Sequence, residues 1–429
     1  MQQIIKPGFI EGIVKAPPSK SVMQRFCAAA LLHNGKTIIR NPGVSEDDFA
    51  AIEIIKKLGA KVSVDSKGCL IIQGNPDLLL SDFSSDDGFV LDCGESGLSL
   101  RMFTAIAAMT SGRFMMQGAG SLLHRPVDFF EDVFPQMGVK TKSNQGKLPL
   151  EIVGPIIPSD IKIDGSLSSQ FLTGLLFAYS HKIKERVCIE VSNLKSIPYI
   201  DLTIEILLKF GYDVVNDNNK NFVLNPVSKT ESIIECDVEG DWSGASFLLV
   251  AGAIAGKVDV NGLSIYSKQA DRSILTALSL AEANLSVSED SIKVEKPFGS
   301  RRLKPFHFNA NQCPDLFPPL AALAANCDGI SIIEGVNRLL FKESNRAVSI
   351  IESFASLGVK IELQDDMMIV HGGHIVTGGQ IHSFNDHRIA MACSLLGLIA
   401  MEPVKIMDAK VVGKSYPNFF NDLEMIRKK

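Results

Sequence analysis

No two of the eight cysteines stand in a Cys-x-x-Cys spacing, which argues against both a zinc knuckle and a disulfide framework. No apolar run reaches the roughly 18 residues needed to span a bilayer, and residues 1–9 lack a basic-then-apolar export segment. Basic residues are not in excess. The chain has 43 Lys and Arg against 48 Asp and Glu, a net charge of -5, so neither nucleic acid nor a membrane surface is an expected partner. A Walker loop, a dinucleotide fingerprint and a metal-ligand motif are all missing, which argues against NTP, NAD or metal chemistry. What remains is a soluble, cytoplasmic protein whose affinity for anions has to come from local clustering.

At 429 residues the chain is too long for one ordinary core, and two domains are expected. A repeat supports this. Helix-like segments end at Gly59, Gly138, Gly211 and Gly358, each leading straight into a strand, and a fifth fits with Asn284 in the glycine role. Glycine just past a helix permits the left-handed conformation that terminates it. The recurrence is about 75 residues, the signature of one supersecondary unit repeated. Strand-then-loop signals precede these helices at 37–42, 114–120, 187–193, 258–262 and 330–335, with a sixth at 404–408. Six more helices, strongly apolar, are expected near 25–32, 98–109, 171–178, 245–255, 316–326 and 389–400. The expected fold is α+β, with six units in two domains of three and the apolar helices inside the sheets. The stretch 235–242 is the candidate crossover. It gives residues 1–16 plus 240–429 as one domain and 17–239 as the other. A strand at 3–5 or 12–14 would complete the truncated last unit.

The apolar helices all begin with polar residues, and helix starts attract anions through unpaired N–H groups and the dipole. Asp386-His387-Arg388 heads the last of them, with Asp386 as N-cap and Arg388 in the first turn, where a cation opposes the dipole. An anion opposite Arg388, either a neighbouring acid or a ligand, explains its place there. Lys20, Ser21 and Arg25 open the first, Gly94-Glu95-Ser96-Gly97 leads into the second, and Ser168-Ser169-Gln170 precedes the third. Arg125 and Lys414 stand at other loop-to-helix junctions. Lys342 and Arg346, four apart, are expected on one helix face beside Glu343. Asp315 has no Lys or Arg close in sequence, and reads as an N-cap or a base. A cleft lined by these cations would suit a substrate set carrying several negative charges, and the interleaved acids point to proton transfer.

Pro18-Ser19-Lys20-Ser21 with Arg25, Ser168-Ser169-Gln170, Ser196-Ile197-Pro198-Tyr199, Lys342-Glu343-Ser344-Asn345-Arg346 and Asp386-His387-Arg388 together resemble the 3-phosphoshikimate 1-carboxyvinyltransferase (EPSP synthase) family across nearly the whole chain. The resemblance implies a two-domain inside-out α/β barrel of six βαβαββ-type repeats, three per domain. It also implies transfer of the enolpyruvyl group of phosphoenolpyruvate to the 5-hydroxyl of shikimate 3-phosphate, by a monomer, with no cofactor and no metal. Carried over by motif, Ser168, Ser169 and Ser196 would hold the shikimate phosphate. Lys20, Ser21, Arg25, Gln170, Tyr199, Asp315 and Lys342 would complete that site. Lys20, Gly97, Arg125, Gln170, Arg346, Arg388 and Lys414 would surround phosphoenolpyruvate. Asp315 would take the hydroxyl proton, and Glu343 with Lys20 would manage protons at the methylene and the leaving phosphate.

The chain departs from the family pattern at several points. Glu95 and Leu98 replace the Asn and Thr of Gly-Asn-(Ala/Ser)-Gly-Thr, adding a charge and removing a hydroxyl beside the phosphoenolpyruvate pocket. Pro18 replaces a Gly, Met102 a Pro and Asn345 an Asp. These changes bear on affinity for phosphoenolpyruvate, and for glyphosate, which occupies that pocket in the family. The nearest rival is the sister family acting on UDP-N-acetylglucosamine, which usually carries a reactive Cys or an Asp shortly before the equivalent of Arg125; residues 118–124 contain neither. An idle anion-binding scaffold is the other alternative, and Asp315 and Glu343 speak against it.

Overall fold

The computed structural model describes residues 2–75, 77–81, 83, 88–227, 232–299 and 302–428. The chain divides into two compact units, Met1–Pro17 with Glu239–Lys429 and Pro18–Val238.

In the Pro18–Val238 unit, three helices, Lys20–Leu32, Gly97–Ala107 and Ser169–Lys182, pack against one another in the interior. In the other unit the interior helices are Trp242–Ala255, Phe317–Ala325 and His387–Ile399. Trp242–Ala255 is apolar on every face and buried along its whole length, as expected of a helix without a solvent side. Among the described residues each unit surrounds its helices with three small sheets, so helices lie inside and strands outside.

One topology recurs in all six sheets. A strand runs parallel to its neighbour, which pairs antiparallel with the next. Ile161–Asp164 lies parallel to Val187–Ser192, which pairs antiparallel with Asn221–Asn225, and that strand pairs with Asp213–Asp217. Two sheets draw their first strand from far along the chain. Ile10–Lys15, just before the Lys20 helix, pairs parallel with Gly256–Asn261, whereas Ser232–Asp237, just before the Trp242 helix, pairs with Gly35–Arg40. The last sheet is completed by Gln3–Ile5, antiparallel to Val404–Met407. The amino-terminal strand therefore does finish the truncated repeat.

The outer helices end as the glycines suggest. Gly59, Gly138, Gly211 and Gly358 have φ of +96°, +77°, +79° and +83°. The N–H of the next residue closes back on the helix, as in Ala60 N to Ile55 O at 2.9 Å. The fifth case needs correction. The left-handed residue is Glu282 (φ +56°), with Ala283 N donating to Leu278 O, and Asn284 already begins the strand Asn284–Val287. The closure fixes which position must be left-handed, and here that position carries a glutamate.

Candidate functional site

In the Glu239–Lys429 unit the His387–Ile399 helix is capped by Asp386, whose Oδ1 accepts from Arg388 N at 2.9 Å. The same carboxylate takes the buried Arg346 guanidinium, Nε to Oδ2 at 2.9 Å. Arg346 is the first residue of the helix Arg346–Ala355, and Asn345 is its cap. Lys342 therefore lies in the turn before that helix. The expected shared helix face does not exist, because the Asn345 cap makes Arg346 the first helical residue and leaves Lys342 outside the helix. Asn345 caps through its side-chain oxygen, which accepts from Val348 N.

Lys342 and Arg346 nevertheless meet on Asp315. Lys342 Nζ lies 3.1 Å and Arg346 Nη1 2.7 Å from Asp315 Oδ1, and Arg388 Nη2 donates to Oδ2 at 3.2 Å. Asp315 thus has three cationic partners, none of them close in sequence. They come from positions 342, 346 and 388, too far along the chain for sequence spacing to pair them. Asp315 sits in the short turn Pro314–Leu316 ahead of the buried helix, and its side chain is 28% exposed. Burial pushes its carboxyl up, but Arg388, Lys342 and Arg346 outweigh that and hold it well below the usual carboxylate range. Glu343 accepts from Arg346 Nη2. Lys414, almost wholly buried, donates from Nζ to Asn385 O at 2.7 Å.

Behind this cluster stands a carboxylate that sequence reasoning missed. Asp271 is fully buried and accepts from Ser243 Oγ, which also takes Arg388 Nη2 at 3.2 Å. Burial first, and the charge of Asp315 second, raise its carboxyl to about 6. An acid in an otherwise ordinary Gln-Ala-Asp-Arg turn gave no signal of this.

In the Pro18–Val238 unit, Ser19 caps the Lys20–Leu32 helix and Lys20 Nζ pairs with Asp47 Oδ2 at 2.7 Å. Arg25 is buried. It donates from Nε to Thr203 Oγ1 (2.9 Å) and from Nη1 to Ser21 O (2.8 Å), and its guanidinium stands 5.8 Å from the centre of the Tyr199 ring. Ser168 caps the Ser169–Lys182 helix by accepting from Gln170 N, the ordinary use of a serine there. Ser169 is buried, and Ser196 heads the Ile197–Lys209 helix in a left-handed conformation (φ +52°). Gln170 Oε1 accepts from Arg101 Nη1 at 2.7 Å, and Arg101 lies over the Phe171 ring at 5.1 Å. Arg101 is a further residue to count with this cluster; its one signal was an arginine inside an apolar helix. Gly97 is the first residue of that helix, and a Cβ there would stand 2.6 Å from Arg125 Nη1. Only glycine lets the Arg125 guanidinium rest against the helix start.

Two departures from the family pattern also resolve. Leu98 is buried and belongs to the hydrophobic core of its unit. The Glu95 carboxylate accepts from Ser121 N (2.9 Å) and Ser121 Oγ (3.1 Å). Among the described residues no group of His, Cys, Asp and Glu is arranged to hold a metal, and no helix is long and apolar enough to cross a membrane.

The chain can now be compared with known proteins. The family model described as EPSP synthase (3-phosphoshikimate 1-carboxyvinyltransferase) matches residues 4–423. The 3-phosphoshikimate 1-carboxyvinyltransferase of Clostridium novyi is 33% identical over 98% of this chain and 96% of its own. That of Aeropyrum pernix is 34% identical over 98% and 94%. Among solved structures, EPSP synthase from Acinetobacter baumannii superposes with a TM-score of 0.80 at 24% identity, covering 99% of this chain and 98% of its own. The enolpyruvyl transferase NikO from Streptomyces tendae gives 0.78 at 16% identity, covering 99% and 97%. At these identities the structures speak for the fold alone, the two-domain inside-out architecture expected from the sequence. The family model and the relatives, spanning almost the whole chain, speak for descent, and the chain belongs to the EPSP synthase family.

Proposed function

We propose that the protein transfers the enolpyruvyl group of phosphoenolpyruvate to the 5-hydroxyl of shikimate 3-phosphate, releasing inorganic phosphate. The observation that carries this reading is the convergence of Lys342, Arg346 and Arg388 on Asp315. One carboxylate beneath three cations suits a base that works among anionic substrates. In the addition step the hydroxyl oxygen bonds to C2 of phosphoenolpyruvate, Asp315 takes the hydroxyl proton, and a proton is delivered to C3. In the elimination step C3 loses a proton and the C2–O bond to phosphate breaks. Glu343 and Lys20 serve the C3 proton and the leaving phosphate.

Without substrates, the three cations keep Asp315 a weak base. A phosphate and a carboxylate compete for Arg346, Arg388 and Lys342, weakening the fields that hold the Asp315 proton affinity down. The base therefore strengthens as the substrates bind. Ser168, Ser169 and Ser196 bind the shikimate phosphate, with Lys20, Ser21, Arg25, Gln170, Tyr199, Asp315 and Lys342 about the ring. Lys20, Gly97, Arg125, Gln170, Arg346, Arg388 and Lys414 bind phosphoenolpyruvate. Cations fixed by buried acids need no reorganisation as charge develops, which is where electrostatic stabilisation is strongest. The same reading has the chain act in the cytoplasm as a monomer without a cofactor.

The test is phosphate release from phosphoenolpyruvate with shikimate 3-phosphate, run beside UDP-N-acetylglucosamine. Release with shikimate 3-phosphate only is expected. Release with the nucleotide sugar only, or with neither acceptor, refutes the proposal.

A further inference from the structure

Glu95 lies between Gly94 and Ser96, the cap of the Gly97–Ala107 helix. Its carboxylate crosses to a second segment, the turn Gly120–His124 that runs directly into Arg125. Ser121 gives both its backbone N–H (2.9 Å) and its hydroxyl (3.1 Å) to Glu95 Oε2. The backbones are joined alongside, with Ala119 N donating to Gly94 O at 2.7 Å. Gly120 has φ +52°, and a side chain there would collide with the Glu95 carboxylate. The carboxylate therefore occupies the space that a Cβ at 120 would fill, so this is a fitted contact. At the far end of the same turn, Arg125 N closes on Leu122 O at 3.2 Å, and the Arg125 guanidinium rests against Gly97. The glycine-rich loop and the Arg125 segment thus meet at Glu95–Ser121 and again at Gly97–Arg125.

We infer that Glu95 is a positioning residue for Arg125: through Ser121 it ties the turn to the glycine-rich loop and presets the guanidinium for an anionic substrate. The inference rests on the reading that Arg125 binds phosphoenolpyruvate. A carboxylate accepting two bonds makes a stronger tie than a neutral acceptor. Untying it frees the turn, so the ordering of Arg125 has to be supplied on binding. The cost falls on the ligand that Arg125 holds.

The experiment is steady-state kinetics with both substrates varied, on the wild type, Glu95→Ala, Glu95→Gln and Ser121→Ala. Phosphate release by the wild type tests the functional reading by itself. For the inference, Glu95→Ala is expected to raise KM for phosphoenolpyruvate about tenfold while KM for shikimate 3-phosphate moves less than about twofold, a tie worth roughly 1.4 kcal/mol. Ser121→Ala should show the same split at smaller size. Glu95→Gln, whose neutral amide oxygen can still accept from both Ser121 donors, should recover about half of the loss. The double variant Glu95→Ala/Ser121→Ala should be no worse than Glu95→Ala, because both break one tie. Equal rises in both KM values, an unchanged KM for phosphoenolpyruvate, or additive single effects would overturn the inference. Ser121→Ala removes only a hydroxyl, so it decides the matter even where Glu95→Ala fails to fold.

Discussion

Replacing Arg346 by methionine should destabilise the Glu239–Lys429 unit in a way that acid relieves. The side chain has no solvent exposure and donates to three carboxylates: Asp386 at 2.9 Å, Asp315 at 2.7 Å, and Glu343. Methionine fills the stem and removes the charge. Asp386, itself without exposure, is then left in the interior with its cation gone. Removing one partner of a buried pair costs about 3–5 kcal/mol. For a unit of this size each kcal/mol moves Tm by about 2–4 °C, so the drop should be on the order of 6–20 °C at pH 7.5. The sign of the pH effect follows from Asp315. Its carboxyl lies well below the usual range in the intact cluster, so its stabilisation is present above that range and is lost as pH falls through it toward the lowered value. In the variant one of its three cations is gone while Arg388 and Lys342 remain, so the carboxyl moves back toward the usual range and has less stabilisation to lose as pH falls. Calorimetric melts at pH 7.5 and 3.5 should therefore show the gap between variant and wild type narrowing with acid. Arg346→Lys, which keeps the charge and loses the fork, should fall between them. A gap of equal size at both pH values would mean that packing and not charge carries the loss, and the account of the cluster would fail.

Asp315→Asn should lower kcat by about 10²–10⁴, the usual worth of a general base, while equilibrium binding of phosphoenolpyruvate holds or tightens because the cations lose a competitor; weakened binding measured by calorimetry would contradict this. Asp271, its carboxyl raised to about 6 by burial and by Asp315, is stabilising when protonated, and that contribution is lost as pH rises through about 6. Asp271→Asn should therefore gain on the wild type by up to about 3 kcal/mol between pH 4 and pH 7, and denaturant titrations giving a pH-independent difference would exclude it.

Much of the repeat was legible because it is written in local chemistry. A glycine past a helix, an apolar helix with a polar head and a β-rich run each declare themselves within a few residues. Where a local signal had to be stretched, the reading slipped. Asn284 was the residue most suited to a left-handed turn, but the helix ends so that Glu282 must adopt it. Lys342 and Arg346 have the spacing of one helix face, yet Asn345 between them is the cap that starts the helix later. The site was legible only as a parts list. Asp315 meets its cations through residues 27, 31 and 73 positions away, and pairings at that range are decided by the fold. Gln24, which accepts from Ser96 and Ser99, and Asp271 were invisible for the same reason, since neither has a neighbour in sequence that betrays its role.

The placement of the first two strands bears on how the chain matures as it is made. Gln3–Ile5 and Ile10–Lys15 are made before the whole of Pro18–Val238, but their partners, Val404–Met407 and Gly256–Asn261, emerge only after it. At about 5–20 residues per second the second strand waits on the order of ten seconds or more, and the first longer still. Throughout that interval the inserted unit has every strand of its three sheets and can close, whereas Gln3–Ile5 and Ile10–Lys15 wait unpaired. A nascent chain arrested once Val238 has emerged should thus carry one protease-resistant body, with the residues just ahead of Pro18 open to cleavage.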